Sequence, residues 1–455
     1  MSVALAEEMR SALERLCGEG CLLPDERLGE YTLDGLTPRA VVSPRSVEEV
    51  AQILALAQDE GWAVTPWGGG TQQTLGTAPR RLDLVLETHR LCRVLAHRPE
   101  DLTARVEAGI TLGTLQRELA RRGQFLPLEA PFPEEATIGG ILAVGASGPG
   151  RLFYGTPRDW LIGIRVVHPG GTVSKSGGDV VKNVTGYDLN KLYTGSLGTL
   201  GVIVEAAFKL APLSPRQVTL LSAFDSVEVA VQVAQKMLAL GFIPRALEVL
   251  DATAWQALPG REGLEVLDSG GVLAARLAGR ASAVARQTRE LTGVLERHGA
   301  RTPEQLDGAG DTAFWEGLAS LGWGQQEDAL LMVKLSVPPA HVDEAVEGVR
   351  RLAEELPLAL GLVVGVGHGL LRTLWWPAAD ALKSESIAYA GLVQRVREIA
   401  GGLGGHAVVE RAPQQAKPLL DVWGEPGGGL AVMRRIKEAL DPKGMLNPGR
   451  FVGGI

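Results

Sequence analysis

A chain of 455 residues has room for two or three domains of roughly 150 residues each. Its 45% hydrophobic and 22% charged residues are those of an ordinary soluble globular protein. A net charge of −8 with no basic run excludes nucleic acid as a partner. Any anionic ligand must therefore be held by backbone dipoles and a few placed cations, not by a positive field. No stretch approaches the ~20 apolar residues of a membrane span. The N-terminal segment carries Glu7, Glu8 and Glu14, with Leu5, Met9, Leu13 and Leu16 at helical spacing. It reads as an amphipathic helix, not a signal peptide. The expectation is a cytoplasmic protein that reaches a membrane only through partners. Cys17, Cys21 and Cys92 are the three cysteines, and nothing completes a four-ligand set around them. No metal or iron–sulfur site is expected.

In chain order, residues 22–34 read as a loop with a short amphipathic piece, and 40–44 as a strand. Ser46 with Glu49 forms a capping box, opening a helix with Val50, Ile53, Leu54 and Ala57 on its buried face. Gly61 ends it, and residues 62–65 form a strand whose ladder Pro66 is expected to stop, for want of an N–H. Trp67-Gly68-Gly69-Gly70-Thr71-Gln72 follows. Three glycines without Cβ atoms let backbone N–H groups converge on an anion such as a diphosphate. On these residues alone a flexible turn fits as well.

Strands at 82–86 and 103–109 and a helix at 112–122 come next. The stretch from Thr137 through Ile138, Gly139, Gly140, Ala143, Ser147 and Gly148 is nearly devoid of bulk. It lets a backbone approach a flat, large group. Tight helix packing would also explain Gly139, Gly140 and Ala143. A hairpin spans 162–174. A third glycine-rich stretch, residues 177–203, contains Gly195-Ser196-Leu197-Gly198 and Gly201-Val202, and feeds a strand over 202–210. An ordinary strand entry is the alternative there.

Pro212 and Pro215 mark a boundary. Beyond it, strands at 218–224, 246–250, 271–277, 330–337, 358–365, 370–376 and 406–410 alternate with helices at 227–240, 281–298, 341–355 and 384–400. The pattern predicts an antiparallel sheet covered by helices on one side, from two related modules in tandem. A Gly/Asp-rich break separates them. A helix at 431–440 precedes a turn-rich tail, residues 441–451.

Together, the three glycine stretches and this tail resemble the vanillyl-alcohol-oxidase, or PCMH-type, FAD-linked oxidases over nearly the whole chain. Within them the resemblance is to the FAD-binding subunit of bacterial glycolate oxidase. It is carried by Leu126-Pro127-Leu128-Glu129-Ala130-Pro131, by Gly155-Thr156-Pro157-Arg158-Asp159, and by Val181-Lys182-Asn183-Val184-Thr185-Gly186-Tyr187-Asp188-Leu189. The resemblance implies an α+β fold: a PCMH-type FAD-binding domain of two α/β subdomains plus an antiparallel-sheet cap domain with helices on one face. The expected segments are 1–33 (helical), 34–213 (FAD domain), 214–430 (cap) and 431–455 (return to the FAD domain).

FAD would be held by Pro66, Trp67, Gly68, Gly69, Gly70, Thr71 and Gln72 at the pyrophosphate. Pro131, Thr137, Ile138, Gly139 and Gly140 would meet its diphosphate or ribityl side, and Ala143, Ser147 and Gly148 its ring. Gly198, Gly201 and Val202 would approach the adenine or ring edge, and Arg158 would supply a cation unless it pairs with Asp159 on the surface. Relatives that tether FAD covalently often use a histidine in the glycine loop; Thr71 stands here, so the flavin is expected to be non-covalent. The resemblance further implies oxidation of glycolate or D-lactate to the 2-oxo acid, with a second flavin subunit and an iron–sulfur subunit as partners. The self-sufficient 2-hydroxy-acid dehydrogenases of the family carry Gly-His-x-Gly-Asp-Gly-Asn-x-His and Glu-His-Gly-Ile-Gly stretches, and both are missing. Leu197 also stands where many of them have glutamate. By residue type, His406 and Arg411 are the candidate base and carboxylate anchor, with His368 and Arg372 behind them. A self-sufficient dehydrogenase and a non-catalytic scaffold are the alternatives.

Overall fold

The computed structural model describes residues 2–18, 20–180, 186–261, 264, 270–324, 331–377 and 389–455. Of the expected features, residues 181–185, Leu330 and residues 384–388 lie outside them. The chain forms two compact units: Met1–Ala146 with Thr156–Leu213 and Glu425–Ile455, and Ser147–Gly155 with Ser214–Gly424. No helix among the described residues is long and apolar enough to cross a membrane.

The first unit contains two sheets. Strands β1 (Ala40–Val42), β2 (Val64–Trp67) and β3 (Leu84–Glu87) pair in parallel in the order β1-β3-β2. Ser46 caps the helix Val47–Glu60, accepting from Glu49 N at 3.1 Å, and Gly61 ends it at φ 69°. Val50, Ile53, Leu54 and Ala57 are fully buried in a core shared with Met9 and Leu13 of the helix Ser2–Cys17. Pro66 does not stop the ladder as expected. It lies inside β2, opposite Leu86, and Trp67 pairs with Glu87. The reason is position: β2 is an edge strand, so a missing N–H facing away from β3 breaks no bond.

The second sheet joins β4 (Val94–Arg98), β5 (Thr103–Glu107), β7 (Leu161–Val167), β8 (Val173–Gly177) and β9 (Val202–Lys209) in the antiparallel order β4-β5-β9-β7-β8, while β6 (Gln124–Phe125) pairs with β10 (Ala211–Pro212). The unexpected β4 is a half-exposed edge strand with an irregular register, so it lacks a clean alternation of apolar residues. Leu115 and Leu119 of the helix Leu112–Ala120, with Ile138 and Leu142 of the helix Ile138–Val144, pack against Val166 and Phe208. This core fixes the height of the helix Ile138–Val144 above the sheet.

The second unit is one antiparallel sheet of β11 (Arg216–Phe224), β12 (Ala246–Asp251), β13 (Gly271–Gly279), β14 (Arg301–Asp307), β15 (Leu331–Ser336), β16 (Leu358–Gly365), β17 (Leu370–Pro377) and β18 (His406–Arg411). The spatial order β14-β11-β13-β12-β16-β17-β15-β18 is two β-α-β-β-α-β modules meeting at the β12–β16 pair. Helices Val227–Ala239, Ala281–Arg297, Val342–Glu354 and Tyr389–Gly402 cover one face, burying Leu247, Val249, Val333, Leu335 and Trp375. Two further helices, Ala252–Gln256 and Gly308–Ser320, bring Trp255, Phe314 and Trp315 onto the opposite face of the first module. The expected break between the modules thus holds an edge strand, β14, and a helix. Pro303 and the Gly308-Ala309-Gly310 start conceal both in the sequence.

Candidate functional site

One cleft in the first unit collects most of the expected cofactor residues. It encloses about 770 Å³ of space, its open mouth included. Pro66, Trp67, Gly68, Gly69, Gly70, Thr71 and Gln72 form one wall, and Thr137, Gly139, Gly140 and Ala143 a second. Gly198, Gly201 and Val202 form a third.

The glycines are dictated by close approach. A Cβ on Gly68 would overlap the Thr137 hydroxyl, and one on Gly69 would overlap the Glu135 carbonyl oxygen. Gly70 adopts φ 72°, the left-handed region where glycine is unstrained. Thr137 is held in turn as the helix N-cap, its Oγ1 accepting from Gly140 N at 3.2 Å. Gly139 has a different reason: a Cβ there would come within 2.9 Å of the Ala108 methyl, so it serves helix–strand packing. Trp67 is buried against Tyr31, with ring centroids 5.1 Å apart, which anchors the base of the loop.

Among the described residues, the backbone N–H groups of Gly68, Gly69, Gly70, Thr71 and Gln72 have no hydrogen-bond partner. No carboxylate among the described residues lines the cleft, and Arg450 is the one ionisable side chain among them that does. Five unpaired donors, a single cation and no acid form the donor set for a diphosphate, so the residues present fit a dinucleotide such as FAD.

The fourth wall comes from the C-terminal segment. Val64 N donates to Met445 O at 2.8 Å and Asn447 N to Val64 O at 3.0 Å, so the segment covers the free edge of β2. Arg450 donates to Gln73 Oε1 at 2.9 Å, to Leu75 O at 2.6 Å and to Gln73 O. Burial draws its guanidinium down to about 10, against the pull of Asp34, which leaves it charged at neutral pH. Lys437 donates to Thr199 O at 2.8 Å, Asp441 Oδ2 at 2.6 Å and Leu446 O at 2.9 Å. That buried pair locks the tail to the turn holding Gly198 and Gly201. Asn447 and Arg450 are lining residues to which the sequence reading assigned no role. The signals available were an Asn-Pro-Gly turn and an arginine placed among apolar residues.

Other expected cofactor residues lie elsewhere. Ile138 is fully buried in the apolar core, and Pro131 is buried outside the cleft lining. Ser147 and Gly148 belong to the second unit, where Ser147 Oγ accepts from Arg151 at 3.2 Å. Arg158 is exposed and donates to the Lys191 carbonyl. Asp159 instead closes a capping box with Thr156, whose N–H and hydroxyl reach it at 2.7 and 2.9 Å, and these bonds hold its carboxyl below the usual range.

The expected catalytic pair lies in the second unit. His406 is exposed at the start of β18. Arg411 is buried, its guanidinium donating to the Gly322 and Gly324 carbonyls at 3.1 and 2.7 Å. On the same strand, buried Glu410 takes Lys334 at 2.8 Å and Arg372 at 3.0 Å. Burial opposes ionisation of Glu410, but the two cations outweigh it and hold the carboxyl at about 2. His368 Nε2 lies 3.1 Å from Glu248 Oε1.

A dinucleotide cradle set between a parallel and an antiparallel sheet, in a chain that adds an eight-stranded antiparallel unit, defines the PCMH-type architecture of the vanillyl-alcohol-oxidase superfamily. Residues 38–177 match the family described as FAD binding domain, and residues 213–451 that described as FAD linked oxidases, C-terminal domain. The chain belongs to the FAD-linked oxidases. It is 28% identical to the glycolate oxidase subunit GlcD of Bacillus subtilis, over 91% of this chain and 89% of that one. With a D-lactate dehydrogenase of Archaeoglobus fulgidus it shares 30% identity, over 92% and 93% of the two chains. Among solved structures, p-cresol methylhydroxylase with substrate bound superposes with a TM-score of 0.77 at 17% identity, over 98% of this chain and 97% of that one. An alkyldihydroxyacetonephosphate synthase gives 0.71 at 18% identity, over 97% and 84%.

Proposed function

We propose that this chain is the FAD-binding subunit of an oxidase complex acting on a small 2-hydroxy acid, glycolate or D-lactate, with the flavin held non-covalently. The observation that carries this reading is the run of unpaired N–H donors from Gly68 to Gln72 in a cleft without carboxylates. FAD, when bound, supplies the hydride acceptor for oxidation of the α-carbon. The chain's own part is to hold the diphosphate through backbone amides, to set Arg450 beside it, and to exclude water with the tail residues 445–450. The loop carries Thr71 and no histidine, which supports a cofactor without a covalent tether. Relatives named as a glycolate oxidase subunit and a D-lactate dehydrogenase support the substrate class. Three cysteines fall short of the four thiolates of an iron–sulfur cluster, which supports onward electron transfer to a partner subunit.

One observation favours a second reading, a self-sufficient dehydrogenase. Lys334 and Arg372 share the single carboxylate of Glu410, leaving a net positive centre suited to a substrate carboxylate. One experiment separates the readings. The purified chain is examined for its visible spectrum before and after anaerobic glycolate or D-lactate, alone and with the partner subunits. The first reading expects bound flavin that is reduced only with the partners present. Reduction in the chain alone establishes the second. A chain that takes up no flavin overturns both.

A further inference from the structure

The cleft contains a buried, unpaired polar atom that the diphosphate reading does not use. Asn447 is 2% exposed and lines the cleft. Its Nδ2 donates to Leu197 O at 2.6 Å, which fixes the end of the amide that is nitrogen. The other end, Oδ1, is buried with no hydrogen-bond partner among the described residues. Its backbone is equally fixed, at φ 43°, by its N–H bond to Val64 O and by Arg450 N, which donates to Asn447 O at 3.2 Å. A buried acceptor held this rigidly and left unpaired is costly unless a ligand supplies the donor.

We propose that Asn447 is a recognition residue for the bound dinucleotide, its Oδ1 accepting a hydrogen bond from an O–H or N–H group of the sugar or base portions. A phosphate at neutral pH offers no such donor, so Asn447 and the glycine loop read different parts of the same molecule. The loop amides take the anion, and the Asn447 oxygen takes a hydroxyl, a ring N–H or an amino group. This inference rests on the assignment of the cleft to FAD. Both halves of FAD carry such donors, the flavin with its ribityl chain on one side and adenosine on the other.

The test measures binding of FAD, FMN and ADP to the full-length chain by calorimetry and flavin fluorescence. Asn447→Gly tolerates the left-handed backbone and removes the amide. It is expected to weaken FAD about tenfold, the scale of one hydrogen bond, and to weaken just one of FMN and ADP by the same factor. Which one falls identifies the half that Asn447 reads. Asn447→Asp guards against a folding artefact. Burial raises this carboxyl above its ordinary ~3.9, so as pH is lowered from about 8 to about 5 it gains a proton, regains an O–H donor to Leu197 beside its acceptor oxygen, and binding recovers. Equal losses for FMN and ADP, or no loss for either, overturn the proposal. Failure of the unmodified chain to bind any of the three overturns the FAD assignment itself.

Discussion

The two units manage charge in opposite ways. In the cleft, an anion is to be met by main-chain N–H groups from Gly68 to Gln72, and the nearest cation, Arg450, is tied to carbonyls of Gln73 and Leu75. In the eight-stranded unit, charge is met by charge, with Glu410 set between Lys334 and Arg372. Backbone recognition depends on the absence of side chains and fails through added volume. Side-chain recognition depends on matched ionisation and fails through lost charge or low pH.

Adding volume to the cradle breaks the first scheme, with the largest effect. Gly69→Ala drives a methyl group into the Glu135 carbonyl and is expected to cost about 3 kcal/mol, or about a hundredfold in FAD affinity, read by calorimetry. Removing the acid breaks the second. Glu410→Gln leaves Lys334 and Arg372 facing each other and is expected to lower stability by about 2 kcal/mol in urea denaturation, a value reduced for the partial exposure of both cations. The pH dependence has a definite sign. The Glu410 carboxyl is held at about 2 against an ordinary 4.5, so its contribution is complete above about 4.5 and is lost as pH falls towards 2. Stability curves over that window should steepen for the unmodified chain relative to Glu410→Gln.

Smaller effects sharpen the contrast. Arg158→Ala is expected to change FAD affinity less than about twofold, because that guanidinium already serves the Lys191 carbonyl on the surface. Gly401→Ala has open space for its methyl inside the helix Tyr389–Gly402 and should leave flavin content unchanged while raising the melting temperature slightly, by the ~1 kcal/mol scale of helix propensity at most. A large loss of flavin from either change would remove the distinction between volume-sensitive cradle and tolerant surroundings.

What the sequence disclosed follows the same division. The glycine loop was legible because close backbone approach admits one residue type, and Gly68 and Gly69 each face a group that a Cβ would strike. The cap strands were legible from alternation, as in β15, where Leu331, Val333 and Leu335 point into the core and Lys334 does not. Asn447 and Arg450 were not legible. Their roles arise from contacts with Leu197 and Gln73, 250 and 377 positions away, which no local pattern records. Pro66 misled for a related reason: a proline forbids a central strand, but β2 became an edge strand only once β3 had taken its other side. Arg158 shows the converse, a charge with the right chemistry that a surface carbonyl, Lys191 O, already occupies.

The tail that closes the cleft carries a consequence in time. Val64 and Gln73 emerge from the ribosome long before Met445, Asn447 and Arg450, yet the cradle has its fourth wall only when both are present. A nascent chain can fold its sheets in order of synthesis, but the cradle lacks one wall until residues 445–450 have emerged. Completion of the cleft is therefore a long-range closure that waits on a segment 377 positions downstream of the loop it seals.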